Sequence, residues 1–148
     1  MNALFNRAKV HVLWSRREGF NRAVIEGMFA GVPCVMRRGF NYGHPHAYVN
    51  ERTGCFASER ELPDRLLAMV RDHERFAPRD WVMENMSCQR GTAVLGDAIR
   101  ARAGAAGEGW THGLAVRVCQ LDGMQYWDEE DRQRFEPDYA FLRSCLRG

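Results

Sequence analysis

The hydrophobic pattern of the chain is clearest over residues 9–36, where its period changes twice. Residues 10–14 (VHVLW) form a mainly apolar run that is too short for a stable helix and is typical of a largely buried strand. Over residues 21–29 an asparagine suited to N-capping precedes apolar side chains at helical spacing, and Gly31 then supplies a stop. Residues 33–36 return to extended apolar chain. This order predicts one βαβ unit with two parallel strands.

Weaker patterns predict the elements that follow. Residues 50–54 have the composition of a turn, and residues 55–57 that of a short strand. The next helix has two possible starts, because Ser58 with Glu61 forms a capping box whereas Pro63 suits a first helical position. Its apolar face is expected to comprise Leu62, Leu66, Met69 and Val70.

The second half of the chain is predicted to be mainly helical. We expect a helix that starts at Trp81 with Asp80 as its cap, and a second helical segment separated from it near Gly91. Residues 104–109 have the composition of a flexible joint. The remaining tail, residues 110–148, is expected to be mainly helical and interrupted at Pro137.

Composition narrows the class of protein. The 148 residues are 45% hydrophobic with mixed charge, which fits a globular protein, and no apolar run approaches the roughly 20 residues of a membrane span. Residues 1–9 lack the apolar core of a signal peptide. A net charge of +2 gives no argument for nucleic acid binding. Five cysteines without a C-x-x-C pair are typical of reduced thiols, so we expect a cytoplasmic protein.

The candidate chemistry lies between the first predicted strand and the following helix. Residues 15–21 (SRREGFN) leave the carboxyl end of a parallel strand, which is where open α/β sheets bind ligands. The amides of residues 19–23 open the helix, so unpaired N–H groups and the positive end of the helix dipole favour an anion such as a diphosphate. Gly19 would let that anion approach the backbone closely.

Two carboxylates border this predicted anion site. Glu18 lies in the loop and Glu26 on the second helical turn, with seven residues between them. Carboxylates accept hydrogen bonds from hydroxyl groups, so they suit the sugar parts of a ligand whose middle is anionic. A nucleotide sugar has this composition. The alternative is a generic βαβ unit whose glutamates are only solvated.

These residues resemble the signature of the GT-B glycosyltransferases of group 1, the glycogen-synthase-like retaining type. That signature places two glutamates with seven residues between them in a pattern like S-x-x-E-G-F-G-x-x-x-x-E-A-M-A-x-G-x-P-V, and residues 15–35 here read SRREGFNRAVIEGMFAGVPCV. Two of the departures from it matter for the site. Asn21 replaces the usual glycine and Gly27 the usual alanine, so we expect an unusual preference for the donor sugar.

The resemblance implies a role for each site residue. Glu18 and the amides after it would hold the donor sugar and its phosphate, and Glu26 the ribose hydroxyls; these are the two carboxylates of the catalytic site, neither with a proton-transfer role. The implied donor-binding residues are Ser15, Gly19, Phe20, Asn21, Arg22 and Glu26. Enzymes of this type generally need no metal, and we expect no cofactor besides the donor. His44 and His46 have metal-ligand spacing, but no third ligand is nearby in sequence.

The resemblance also implies an α/β fold, with a partial Rossmann-like parallel sheet, flanking helices and a helical C-terminal tail. It divides the chain into a partial donor-binding domain at residues 1–103, the joint at 104–109 and the tail at 110–148. A GT-B enzyme has two such domains with the active site between them. The acceptor-binding domain and the early strands of the donor domain are therefore expected to lie outside this chain.

The expected function is transfer of a sugar from a nucleotide-sugar donor to an unknown acceptor with retention. Without an N-terminal acceptor domain, which a separate protein could supply, the chain is expected to be inactive. Two alternatives remain open: a non-catalytic module that binds a nucleotide or nucleotide sugar, and an α/β interaction domain with a vestigial site.

Overall fold

Three parallel strands organise the first half of the chain. The computed structural model describes residues 2–39, 47–120 and 123–146. The strands are β1 (His11–Leu13), β2 (Cys34–Arg37) and β3 (Gly54–Ala57), and they form one sheet in the order β1-β2-β3. Both pairings are parallel, with His11 opposite Cys34 and Cys34 opposite Gly54. The predicted parallel pair and the α/β fold class are confirmed.

The chain forms two compact units, Met1–Met86 (unit 1) and Ser87–Gly148 (unit 2). The described residues of unit 1 form the sheet and four helices: α1 (Asn2–Phe5), α2 (Arg22–Phe29), α3 (Leu62–Arg71) and α4 (Pro78–Met86). A 3₁₀ turn at His73–Arg75 follows α3. The predicted domain boundaries at 103 and 109 stay a prediction, because compactness does not establish which parts fold independently.

Helix α2 has the predicted ends. The Asn21 side chain accepts a hydrogen bond from the Val24 amide at 3.0 Å, which satisfies one of the donors that a helix start leaves open. At the other end Gly31 has a φ of +83°, a left-handed conformation that favours glycine. The guanidinium of Arg79 in α4 also donates to the carbonyl of Phe29.

The core of unit 1 lies on both faces of β2. One cluster joins β2 to α2 and α4. It contains Cys34 and Met36 of β2; Val24, Ile25 and Met28 of α2; Val82 of α4; and Tyr48, which precedes β3. The other contains Val35 of β2, Ala57 of β3 and Met69 of α3. Because successive strand residues point to opposite faces, the central strand is buried on both sides, as expected of a parallel sheet covered by helices.

A buried threonine holds the turn before β3. Thr53 is 0% exposed, and its hydroxyl donates to the Tyr48 carbonyl and accepts from the Asn50 amide at 2.9 Å. At the next residue, Gly54, an added Cβ would lie 1.9 Å from the Cys34 carbonyl oxygen. A side chain at this position is therefore incompatible with the pairing of β2 and β3.

Three predictions for the helices of unit 1 need comment. Of the two possible starts of α3 the structure uses the one at Pro63, since the helix begins at Leu62, while Ser58 and Glu61 make the capping-box contacts in the turn just before it. Val70 was expected on the apolar face but is 42% exposed. Helix α4 begins at Pro78 and not at Trp81, because proline lacks the N–H that a first helical turn leaves unpaired.

Unit 2 combines two long helices with a hairpin. Its elements are α5 (Cys88–Ala105), β4 (Arg117–Gln120), β5 (Gly123–Tyr126) and α6 (Glu129–Leu146). Strands β4 and β5 pair antiparallel, an element that the hydrophobic pattern did not predict. Among the described residues, no helix has the length and apolarity needed to cross a membrane.

Two predicted helix breaks in unit 2 are wrong. The break expected near Gly91 falls at Ser87, whose hydroxyl caps α5 by accepting from the Arg90 amide at 3.2 Å. Helix α5 also continues to Ala105, into the residues expected to form the joint. Pro137 lies inside α6 without ending it. This proline is exposed, so water can bond to the carbonyl that loses its helical partner.

Candidate functional site

The predicted anion site lies where β1 leads into α2. Residues 14–21 leave the carboxyl end of β1, and β2 ends on the same edge of the sheet because the two strands are parallel. This edge is the usual ligand-binding position in open α/β sheets. The structure thus brings the loop and the start of α2 to the place that the sequence pattern predicted.

Several backbone donors remain available at this helix start. The Val24 amide is bonded to Asn21, whereas the amides of Gly19, Arg22 and Ala23 donate to no group within the described parts of the chain. Unpaired amides at the positive end of a helix favour an anion. The capping role of Asn21, which is only 8% exposed, also gives a structural reason for asparagine where the signature has glycine.

Gly19 is not required by the fold. A Cβ added there would meet no atom within 4 Å, and its φ is not in the left-handed range. The space beside its backbone is open. An anion bound to these amides could occupy that space, as the sequence pattern predicted, so Gly19→Ala separates a role in binding from a role in folding.

Glu26 is an accessible carboxylate on α2. It is exposed, as are Arg22 and Ala23 one turn earlier, whereas Val24 and Met28 are buried. Helical spacing therefore places Glu26 on the same exposed face as the residues that open the helix. Its side chain pairs with no cation in the described ranges, although Arg22 stands four residues before it.

Glu18 is half-buried in the loop, eight positions before Glu26. Neither carboxylate makes an ion pair or a side-chain hydrogen bond with any residue that the structure describes. Ser15 is half-buried in the same loop. The roles that the resemblance implies for these residues stay predictions.

Gly27 has a packing explanation. It lies on the buried face of α2, where an added Cβ would be 2.9 Å from His11 Nδ1 and 3.2 Å from a ring carbon of Phe5. Alanine, the usual residue in the signature, would need these rings to move. The departure at position 27 thus reflects close packing of α2 on β1 and α1, and it gives no reason to expect a different donor sugar.

Arginines at this edge of the sheet fall into two groups. Arg37 and Arg38, at the end of β2, are held by Glu59 at 3.1 Å and Glu61 at 3.3 Å. Arg37 also lies over the Trp14 ring at 5.5 Å. Three arginines of the loop and first helical turn are exposed and form no ion pair among the described residues: Arg16, Arg17 and Arg22. This second group is the one available to an anionic ligand.

Phe20 connects the loop to the turn before β3. Its ring is 51% exposed and contacts the buried Tyr48 ring edge-on, with 6.3 Å between centroids. This contact was not predicted, because Tyr48 is distant in sequence and belongs to no recognised motif. Half of the Phe20 ring remains exposed to a ligand at the helix start.

The described residues contain no group of three histidine, cysteine or acidic side chains that could hold a metal ion. His44 and His46, whose spacing raised the question of a metal, lie outside the described residues. The expectation that the protein needs no metal therefore stays a prediction.

Comparison with protein families gives one match. Residues 1–72 match the model of the family described as glycosyl transferases group 1. The matched span includes the whole sheet and every site residue named above. No curated protein and no solved structure matches the chain. The resemblance is thereby supported at the level of group 1, and a transferase of the glycosyltransferase kind is indicated.

Proposed function

We propose that unit 1 binds the nucleotide-sugar donor of a glycosyltransferase and that the donor sugar is transferred with retention. One observation carries the proposal: the loop after β1 and the first two turns of α2 hold amides and two carboxylates that have no partner among the described residues, inside the span that matches the group 1 family. Phosphate and sugar groups need these two kinds of partner at neighbouring positions.

In this proposal the diphosphate lies at the start of α2. The amides of Gly19, Arg22 and Ala23 donate to phosphate oxygens, and the open space at Gly19 admits them. The exposed guanidinium of Arg22 adds a charged donor in the first turn. The backbone amides of Phe20 and Asn21 and the Ser15 hydroxyl complete the proposed binding set.

The carboxylates bind the two sugars on either side of the diphosphate. Glu26 lies one helical turn after Arg22, a rise of about 6 Å along the axis. Its carboxylate accepts hydrogen bonds from the ribose hydroxyls in this arrangement, while Glu18 in the loop orients the donor sugar. An ionised carboxylate accepts hydrogen bonds and donates none. Each of the two therefore recognises hydroxyl groups and repels phosphate oxygens.

These groups bind and orient the donor, but sugar transfer needs a larger lowering of the activation barrier than they can supply. A helix terminus contributes about 0.3–1 kcal/mol, and up to about 2 when partly buried. Enzymes lower barriers by about 8–23 kcal/mol. We therefore propose that transfer also requires an acceptor-binding domain, with the departing nucleoside diphosphate stabilised by the helix start and by arginines. No metal is part of the proposal.

Calorimetric titration of the full chain with UDP, GDP and ADP, and with one sugar nucleotide of each base, tests the proposal. We expect saturable binding of one nucleotide. Glu26→Ala should weaken it roughly ten- to a hundredfold, because a hydrogen bond to a charged group contributes about 1.5–3 kcal/mol. Glu18→Ala should weaken only the sugar nucleotide. Glu74→Ala, which removes an exposed carboxylate after α3, is the matched control.

Gly19→Ala sharpens the same experiment. The added methyl group meets no atom of the fold, so thermal unfolding should be unchanged while nucleotide affinity falls. Equal losses for Glu18→Ala and Glu26→Ala with a bare nucleotide would contradict the assigned roles. A folded chain that binds no nucleotide would contradict the donor site and leave a vestigial domain. Binding without transfer, even beside an acceptor domain, would favour a non-catalytic module.

A further inference from the structure

A second cavity in unit 1 lies at the opposite end of the sheet from the candidate donor site. Its volume is about 470 Å³, and it is lined by the segment that enters β1, by the end of α2 and by His73. Lys9 stands two residues before β1 and Val32 two before β2, so the cavity lies at the amino ends of these strands. It is therefore distinct from the crevice at their carboxyl ends.

The charged residues that line this cavity are all basic. Arg7 and Lys9 are exposed, and neither makes an ion pair within residues 2–39, 47–120 and 123–146. Among the described residues of the lining there is no aspartate or glutamate. Two cations that form no ion pair with a described acid, in a concave surface, attract an anionic ligand.

His73 adds an unsatisfied imidazole to the lining. Its Nδ1 atom is buried and has no hydrogen-bond partner among the described residues. In a neutral imidazole one ring nitrogen carries a proton, which it can donate to a ligand.

The negative end of the α2 dipole does not account for these cations. The carbonyl of Phe29, at that end, already accepts a hydrogen bond from the Arg79 guanidinium. The amides of Ala30, Gly31 and Val32 bond back to carbonyls of α2. The carbonyls at the end of α2 are therefore already bonded to Arg79 and to backbone amides. Arg79 itself does not line the cavity.

We infer that this cavity is a second anion site, in which Arg7, Lys9 and His73 bind a small phosphate-bearing anion from solution. Two cationic donors and one imidazole N–H match the several acceptor oxygens of a phosphate group. The site is concave and of the size of small-ligand pockets, which favours a soluble ligand over a membrane surface. The inference does not depend on the proposed donor site.

The single lysine of the chain provides a direct test. Lys9 is the only lysine, so acetylation by acetic anhydride, read by mass spectrometry of the peptide that contains it, reports on this cavity alone. Inorganic pyrophosphate is the probe, chloride at equal ionic strength is the salt control, and free Nα-acetyl-lysine in the same tube is the reference amine. We expect saturable protection of Lys9 by severalfold in the full chain.

Variants locate the protecting site. Arg7→Ala and His73→Ala should each weaken the apparent affinity for pyrophosphate, by about tenfold for the charged residue. Arg60→Ala, which removes an exposed arginine without an ion pair from the turn before α3, should leave protection unchanged. Circular dichroism checks that each variant is folded.

Several results would overturn the inference. Equal protection by chloride would show general screening, and unchanged protection in folded Arg7→Ala and His73→Ala would place the anion elsewhere. Protection by vesicles that contain phosphatidic acid, but not by pyrophosphate, would replace the soluble ligand by a lipid headgroup. Loss of nucleotide binding in Glu26→Ala leaves this inference untouched, because that variant should still show full protection of Lys9.

Discussion

Unit 1 and unit 2 bury very different amounts of their side chains. Unit 1 packs side chains from both faces of its sheet into two clusters. In unit 2 the buried positions among the described residues are Ser87, Gly96 and Ala103, and α6 has none. Large apolar side chains of unit 2 stay exposed, including Val94, Leu95, Phe141 and Leu146. Burial of apolar side chains stabilises unit 1. Unit 2 depends instead on helix capping, on the pairing of β4 with β5 and on contacts between exposed side chains.

This difference in burial explains where sequence motifs are informative. The family match ends at residue 72, within the unit that has the core. In that unit each apolar position is constrained by neighbours on a sheet, so its pattern is regular. In unit 2 the hairpin contacts α6 through a few aromatic side chains. The rings of Tyr126 and Phe135 stack, and the hydroxyls of Tyr126 and Tyr139 form a hydrogen bond. Such contacts leave little periodic signal.

The largest expected effect comes from comparing a glycine in each unit. Gly54→Ala places a Cβ 1.9 Å from the Cys34 carbonyl oxygen, so β2 and β3 cannot keep their pairing. We expect a loss of more than about 4 kcal/mol in the free energy of unfolding, measured by urea denaturation. Gly91 lies in α5, where an added Cβ would meet no atom within 4 Å. Gly91→Ala should therefore leave the free energy of unfolding unchanged or raise it by up to about 1 kcal/mol. A Gly54→Ala chain as stable as wild type would contradict the close approach.

Cysteine reactivity distinguishes the two units chemically. Burial raises the pKa of the Cys34 thiol to about 12, against a usual value of 9.0, which leaves about a thousandfold less thiolate at a given pH. Cys88, Cys119 and Cys145, all in unit 2, are exposed. Labelling with a maleimide, read by mass spectrometry, should modify these three first and Cys34 last. In urea all five should react alike; a fast Cys34 in the native chain would show that unit 1 is open.

Truncation of one methionine in each unit measures the value of the core. Met28 is 0% exposed on the inner face of α2, and Met124 on β5 is 54% exposed. Met28→Ala should cost about 2–5 kcal/mol in urea denaturation, because it removes buried surface and leaves a cavity. Met124→Ala should change the free energy of unfolding by less than about 0.5 kcal/mol. Similar costs for the two would remove the contrast between the units.

The smallest effect is a dependence of unit 1 on pH. Burial lowers the pKa of His11 below its usual value of 6.5, and its Nδ1 has no partner among the described residues. The unfolded chain therefore binds the proton more readily than the folded chain. Stability should be constant well above pH 6.5 and decrease as the pH falls below it.

Urea denaturation between pH 5.5 and 8 measures this dependence. His11→Gln removes the titrating group, so it should flatten the part of the profile that His11 causes. A profile that is identical in wild type and His11→Gln would mean that this imidazole does not titrate differently in the two states.

The sequence alone determined the local features of unit 1. The periods over residues 10–36 predicted the parallel pair, and Asn21 was identified as the cap that the structure shows. The same pattern predicts that the loop and the start of α2 lie at the carboxyl end of β1. Such features depend on backbone conformation and on which face is buried, and both are encoded by residues close together in the chain.

Tertiary structure decided the features that depend on distant partners. Gly27 looked like a change in donor preference, and only its packing on His11 and Phe5 shows why glycine stands there. Helix α5 runs unbroken through Gly91, and α6 runs through Pro137, which is exposed to water. Local propensity predicts where a helix can break, whereas packing and solvent determine whether it does, because their contributions exceed those of a single residue.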